Sequence, residues 1–186
     1  MKISFVTTNR HKFEEAKKVL SEFDIDLEWV NEELPEYEEC IEEIAKQKAR
    51  YAAKKLRKAV VVEDTGVFFE AYKIFPGPRP KFVFNSIGYE GIMRLLEGKM
   101  RRAFFKTAVG YCRPGKRPIV FSGIMKGRIT KKVFDKNKDV MPYERIFVPE
   151  NKKKTLSQMS REEKNLISHR AKAFRRLGRF LKKRVK

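Results

Sequence analysis

Three consecutive valines followed directly by two carboxylates constrain the fold of this chain more than any other stretch. Val60, Val61 and Val62 predict a strand buried on both faces, as in the centre of a mixed or parallel sheet. The apolar run stops at Glu63 and Asp64, so we expect the strand to end there. In open α/β sheets the ligand crevice lies at the carboxyl ends of such strands. The acidic pair therefore indicates a functional site, although a strand that simply ends in a polar turn would leave the same pattern.

Length and composition indicate one globular domain, residues 1–186. A chain of 186 residues can bury a proper core, and its 41% hydrophobic content with 15 Phe argues against disorder. Cys40 and Cys112 match no metal or redox spacing, which favours two reduced thiols. The first residues are too short an apolar run for a signal peptide, and no window approaches a membrane span. We therefore expect a soluble, cytoplasmic protein without membrane contact.

The charge of the chain is high and unevenly distributed. The net charge is +20, and residues 151–186 carry 14 Lys and Arg against two glutamates, a net +12. Residues 32–43 carry seven glutamates. This pattern is consistent with polyanion binding, with a site that holds phosphates and a metal together, or with a heat-adapted surface.

Apolar periodicity predicts an alternation of strands and helices. Predicted strands cover 2–6, 25–30, 60–62 and 146–148, and a hairpin pairs 103–111 with 119–125 across Pro114-Gly115. Predicted helices run from Asn9, from 38 or 39 to 56, through 84–96 before Gly98, and after Ser160 and Ser168. This order is typical of an α/β fold.

The first strand leads through Thr7, Thr8 and Asn9 into a helix that carries Lys12 in its first turn. A strand, a polar turn and a helix in succession aim backbone N–H groups and the positive end of the helix dipole at an anion. An ordinary helix cap explains the same residues equally well.

Six motifs in order resemble those of one family, the inosine triphosphate pyrophosphatases. They cover nearly the whole chain: Thr7 to Lys12, Leu34 to Tyr37, Val62 to Gly66, Phe75 to Pro78, Phe121 to Ile129, and Glu163-Lys164-Asn165 with Ser168-His169-Arg170. Each motif alone is a weak signal, whereas six in the right order are a strong one. The resemblance implies a long twisted mixed β-sheet in two lobes, flanked by helices, with the active site in the cleft between them.

The resemblance also implies an activity and the residues that perform it. Members of the family hydrolyse non-canonical purine nucleoside triphosphates (ITP, dITP, XTP) to the monophosphate and pyrophosphate, which cleanses the nucleotide pool, and they form homodimers. Asp64 resembles the general base and a Mg²⁺ ligand, and Glu36 its partner ligand. The other residues that the resemblance places around the substrate are Thr7, Thr8, Asn9, Lys12, Lys48, Thr65, Lys81, Tyr143, Glu144, Lys164, His169 and Arg170.

One segment departs from the family pattern and leaves the base preference open. Relatives have aromatic, glycine, aromatic, aspartate and proline where this chain has Met141-Pro142-Tyr143-Glu144-Arg145, and Arg79 stands where an aromatic is usual. Our first hypothesis is a Mg²⁺-dependent pyrophosphatase for 6-oxopurine triphosphates, and our second keeps the chemistry with a shifted base specificity. A third hypothesis is a nucleic-acid-binding protein that uses the basic C-terminal segment, although no recognition module accompanies that charge.

Overall fold

The computed structural model describes residues 1–35 and 40–185, which form a seven-stranded mixed sheet flanked by helices. The strand order is β2-β1-β3-β5-β6-β7, and β4 pairs with β3. The strands are β1 Lys2–Val6, β2 Asp26–Val30, β3 Val60–Phe69, β4 Pro76–Gly77, β5 Arg102–Cys112, β6 Ile119–Ile129 and β7 Phe147–Pro149. The helices are α1 Arg10–Ser21, α2 Ile41–Leu56, α3 Pro80–Leu95, α4 Arg161–Ile167 and α5 His169–Val185. The expected α/β class with a mixed sheet is confirmed, while the single domain over 1–186 stays a prediction.

The central strand continues past the point where the sequence predicted its end. Strand β3 pairs in parallel with β1 only at Val60 and Val61. It then runs antiparallel to β5 over ten residue pairs, from Val60 opposite Cys112 to Phe69 opposite Ala103. The prediction that the acidic pair lies at the end of the strand is therefore wrong, because the ladder with β5 carries the strand through both carboxylates. They lie instead in mid-strand, just beyond the end of β1.

Most other predicted elements are confirmed. Asn9 caps α1, the hairpin joins β5 to β6, and Ser160 forms the predicted capping box of α4. The Ser168 hydroxyl accepts a hydrogen bond from the Ala171 N–H in the first turn of α5. The second helix begins at Ile41, so its predicted start at 38 or 39 lies outside the described residues. Helix α3 contains a kink, which the sequence analysis did not predict, at Gly88 with a φ of 59°.

The core consists of clusters on both faces of the sheet. One cluster packs α1 and α5 on Ile3, Phe5 and Val61, and a second lies further along the same face around Phe69 and Phe105. Helix α2 covers the opposite face over Val60 and Val62 and their neighbours. Alternate residues of a strand point to opposite faces, so Glu63 lies between the first two clusters and Asp64 lies beneath α2. A charged stretch thus separates two apolar cores on one face.

No helix in the ranges 1–35 and 40–185 combines the length and the apolar character that are needed to cross a membrane.

Candidate active site

The site is organised around an opening along one edge of β3. The other edge of the strand is occupied by β5, whereas on this edge the pairing with β1 ends at Val61 and the pairing with β4 begins at Val67. Among the described strands, none pairs with residues 62–66 on this edge, a span of about 17 Å at the usual rise per residue. Glu63 and Asp64 lie within it and project to opposite faces. The opening therefore presents one carboxylate on each side of the sheet.

On the α2 side, Asp64 forms an ion pair with Lys48. The Lys48 Nζ lies 2.9 Å from the Asp64 Oδ1, and only 9% of each residue is exposed. Lys48 extends from the alanine-rich face of α2, where small side chains at positions 45, 49, 52 and 53 let the helix pack closely on the sheet. A buried carboxylate with an ammonium beside it at the edge of an opening is suited to proton transfer and to binding phosphate.

On the opposite face, Glu63 is fully buried among cations and hydroxyls. Its Oε2 lies 3.1 Å from the Lys12 Nζ and 3.5 Å from the Arg170 Nε. Its Oε1 accepts hydrogen bonds from the hydroxyls of Thr65 and Thr107. Burial alone would raise the pKa of Glu63, but the charges of Arg170 and Lys12 outweigh it and hold that pKa well below its usual range. Glu63 therefore stays ionised and holds Lys12 at the opening.

The turn between β1 and α1 lies at the end of β1, beside this opening. The Asn9 Oδ1 accepts from the Lys12 N–H at 3.1 Å, and the Thr7 Oγ1 accepts from the Asn9 N–H at 3.2 Å. Within residues 1–35 and 40–185, no hydrogen bond engages the backbone N–H of Thr8, Arg10 or His11. Free N–H groups at the start of a twelve-residue helix, with a lysine nearby, are suited to bind a phosphate.

A chain of buried ion pairs extends from Glu63 to the 3₁₀ turn Pro142–Arg145. The Arg170 Nη1 donates to the Glu15 Oε2 at 2.6 Å, and Glu15 lies 3.9 Å from the Lys164 Nζ. Lys164 in turn donates to the Glu144 Oε2 at 2.9 Å. Burial raises the pKa of Glu144 despite Lys164, whereas Glu63 and Glu15 outweigh the effect of burial on Arg170 and raise its pKa. Signs alternate along this chain, so each buried charge has an opposite neighbour.

Beyond that chain lie several buried polar atoms that have no hydrogen-bond partner among the described residues. They are the Tyr143 hydroxyl, both amide atoms of Asn165 and both ring nitrogens of His169. The His169 ring stacks on Phe105 at 4.7 Å between centroids, while Tyr143 packs near Phe69 and Phe84. Burial and the Arg170 charge hold the pKa of His169 well below its usual range, so the ring is neutral. Aromatic surfaces beside unmet donors and acceptors are suited to bind a planar heterocycle.

Most of the residues that the sequence analysis selected come together in this arrangement. Thr7, Asn9 and Lys12 lie at the end of β1 and the start of α1, Lys48 pairs with Asp64, and Thr65 bonds to Glu63. Lys164, His169 and Arg170 lie near Glu144 or Glu63 on the other side. Lys81 is exposed in the first turn of α3, and within the described ranges no hydrogen bond or ion pair joins it to the rest. Glu36 lies outside the described residues.

Glu15 and Thr107 belong to this arrangement although the sequence did not single them out, and Asn165 was named only within a motif, without a role. Glu15 had a usable signal, because it falls within the apolar stripe of α1 beside Ala16 and Val19, where an unpaired carboxylate would be costly. Thr107 gave no comparable signal, since it donates a hydrogen bond to Glu63, which lies 44 positions away in the sequence.

The donor set fits a divalent cation that is shared with phosphate. Within residues 1–35 and 40–185, no group of three or more His, Cys, Asp or Glu side chains could hold a metal ion. Mg²⁺ needs only one or two protein carboxylates when substrate phosphates and waters supply the other oxygens. Asp64, at the edge of the opening, supplies one such carboxylate.

Comparisons with known proteins show which family the chain belongs to. The profile of the Ham1 family matches residues 3–180. A protein from Methanopyrus kandleri named dITP/XTP pyrophosphatase is 43% identical, with 100% of this chain and 98% of that protein covered. A protein of the same name from Saccharolobus solfataricus is 40% identical, with 97% and 94% covered. The solved structure of a Ham1 protein from Coxiella burnetii superimposes with a TM-score of 0.81 at 24% identity, covering 97% of this chain and 99% of that one. The resemblance found in the sequence is confirmed, and the chain belongs to the Ham1 family.

Proposed function

We propose that the chain is a nucleoside triphosphate pyrophosphatase that converts dITP, ITP and XTP to their monophosphates and pyrophosphate. The observation that carries the proposal is the Asp64–Lys48 pair at the opening of the sheet edge, beside the phosphate-binding features of α1. Two relatives, 43% and 40% identical over 98% and 94% of their own length, are named dITP/XTP pyrophosphatases. A cytoplasmic location and a role in cleansing the nucleotide pool follow from this activity as part of the proposal.

At the phosphate end, the triphosphate lies across the opening between Lys12 and Lys48. The free N–H groups at the start of α1 and these two ammonium groups neutralise its charge. Asp64 accepts a proton from a water molecule as the water oxygen attacks the α-phosphorus. The bond between the α-phosphorus and the bridging oxygen breaks, and pyrophosphate leaves. Positioning and fixed charge thereby supply most of the catalysis.

Asp64 and Glu36 are the residues that would hold Mg²⁺, together with phosphate oxygens and water. When bound, Mg²⁺ neutralises charge on the phosphates and lowers the pKa of a bound water. Lys12 is held beside the opening by Glu63, since within residues 1–35 and 40–185 its Nζ contacts the carbonyl and the carboxylate of that residue.

At the base end, the purine lies against the buried polar atoms around His169, Asn165 and Lys164. A donor aimed at the 6-position bonds to the oxygen of hypoxanthine or xanthine, whereas the 6-amino group of adenine cannot accept that bond and leaves the donor unpaired. The altered turn around Tyr143 and Glu144 supports the alternative of a shifted base preference on the same chemistry.

Pyrophosphate release from a panel of triphosphates with Mg²⁺ tests both versions. We expect inosine, deoxyinosine and xanthosine triphosphates to be hydrolysed far faster than ATP, with Asp64→Asn as the blank and Asp26→Asn, an exposed aspartate on β2, as the matched control. Preference for another nucleotide would reassign the substrate and keep the chemistry. Equal rates for Asp64→Asn and the natural protein would overturn the mechanism.

A homodimer forms part of the proposal. Phe68 and Phe104 stack at 4.8 Å on the face of the sheet beyond α2, where Ile124 is 44% exposed. Phe82, on α3, is 68% exposed. Apolar surface of this kind supports contact with a second copy. Light scattering should report a dimer for the natural protein and a monomer for Phe104→Lys. Equal molecular masses for the two proteins would show that this surface is not the dimer contact.

Nucleic-acid binding by the exposed basic side chains of α5 stays a separate prediction that a salt titration would test.

A further inference from the structure

Trp29, the only tryptophan of the chain, contacts the backbone of the phosphate-binding turn. Its indole Nε1–H donates to the carbonyl oxygen of Thr7 at 2.7 Å, a short distance for an N–H···O bond. The ring itself stacks on Phe13 of α1, with centroids 5.5 Å apart and planes at 18°. The indole is therefore fixed in place by a stacking partner and by a hydrogen bond.

This bond replaces one that the sheet itself would have made. Strands β1 and β2 pair in register up to Val6 opposite Val30, and the Thr7 N–H continues the ladder by donating to the Val30 carbonyl at 3.0 Å. In a longer parallel ladder the Thr7 carbonyl would next accept from the N–H of Glu32. That N–H instead turns back to the Val30 carbonyl at 3.0 Å, so the chain leaves the sheet there. The Trp29 indole supplies the missing donor.

The direction of the Thr7 carbonyl also fixes the direction of the next N–H. In a trans peptide the C=O and the following N–H point in opposite directions. The carbonyl is held towards Trp29 on β2, and β1 lies between β2 and β3. The N–H of Thr8 therefore points towards β3, the side of the opening beside Glu63 and Asp64. No hydrogen bond within the described part of the chain uses that N–H.

We propose that Trp29 is a positioning residue, which orients the Thr7–Thr8 peptide so that the Thr8 N–H binds a phosphate of the substrate. This inference rests on the proposed function for the identity of the substrate but not for the binding of phosphate. Trp29 touches no reacting atom, so its loss weakens the binding of every triphosphate alike. The ratio of rates between 6-oxopurine and 6-aminopurine substrates stays unchanged, because the base end is untouched.

The sharpest test replaces the Trp29 indole with benzothiophene, which keeps the bicyclic ring and its stacking on Phe13 but removes the N–H. Inorganic tripolyphosphate should bind about threefold to tenfold more weakly, the worth of one neutral hydrogen bond. KM for inosine triphosphate should rise by a similar factor with kcat nearly unchanged. Trp29→Phe should behave similarly, and Tyr51→Phe, an exposed aromatic on α2, is the matched control that should change nothing.

A single indole also gives a direct spectroscopic signal. In ¹⁵N-labelled protein the one indole cross-peak should exchange slowly with water and shift when tripolyphosphate is added. Equal tripolyphosphate affinity in the natural and benzothiophene proteins, or an indole that exchanges as fast as in the unfolded chain, would overturn the inference. If the natural protein bound tripolyphosphate but hydrolysed no nucleotide, the proposed function would fail and this inference would stand.

Discussion

The phosphate end and the base end of the proposed site differ in which of their polar groups have no partner. At the phosphate end, Lys12 and Lys48 each pair with a carboxylate, and the groups that remain free are backbone N–H donors near the surface. At the base end, the ring nitrogens of His169 and the side-chain amide of Asn165 are buried and have no hydrogen-bond partner among the described residues. Fixed charge attracts any polyphosphate, whereas buried groups with unmet hydrogen bonds distinguish one base from another. Affinity and specificity are thus expected to separate along the site.

The largest expected effect is the loss of turnover in Asp64→Asn. An amide cannot accept the proton of the attacking water, so kcat should fall about 10²- to 10⁴-fold for every triphosphate, as for other general bases. Steady-state kinetics with inosine and guanosine triphosphates measure this. If the fall in kcat depended strongly on the base, Asp64 would contribute to base discrimination. That result would contradict the proposed separation of affinity and specificity between the two ends.

Glu63→Gln should act on stability, although Glu63 is the sequence neighbour of Asp64. The substitution removes a fully buried charge that faces Lys12 and Arg170, and breaking such a pair typically costs about 3–5 kcal/mol in the free energy of unfolding. Urea unfolding measures the change. Glu90→Gln, which removes an exposed pair with Arg94, is the matched control and should cost at most about 0.5 kcal/mol. Equal effects of the two substitutions would show that the buried chain of charges is not needed for stability.

Lys164→Met should change discrimination and leave phosphate binding intact. Lys164 is the partner of Glu144 at the base end, so its loss should reduce the preference for inosine over adenosine triphosphate about tenfold to a hundredfold. Inhibition by inorganic pyrophosphate provides the control, because it depends on the phosphate end alone. A proportional loss of pyrophosphate inhibition would contradict the separation of the two ends.

The two ends also differ in how much of each could be predicted from the sequence. Thr7 to Lys12 are contiguous, so a strand, a turn and a helix cap place them together by local rules. The bond between Glu15 and Arg170 joins residues 155 positions apart, and no local pattern pairs them. Strand β3 shows the same limit: its valines predicted a strand, but the tendency of carboxylates to avoid strands suggested an end that the ladder with β5 overrides.

The smallest expected effect is a pH dependence of stability that originates at the base end. The pKa of His169 is well below 6.5 in the folded protein, while the unfolded chain takes up that proton near pH 6.5. Below pH 6.5 the unfolded state therefore binds more protons, and stability falls as the pH falls, by up to about 1.4 kcal/mol per pH unit. In His169→Phe, which keeps a ring against Phe105, this dependence should disappear between pH 6.5 and pH 5.5. Glu63 does not contribute in this range, because the pH dependence of stability that it causes lies below pH 4.5. Urea unfolding at both pH values measures the difference. Parallel pH profiles for the two proteins would mean that His169 accepts a proton in the folded state and that the base end holds a charge, as the phosphate end does.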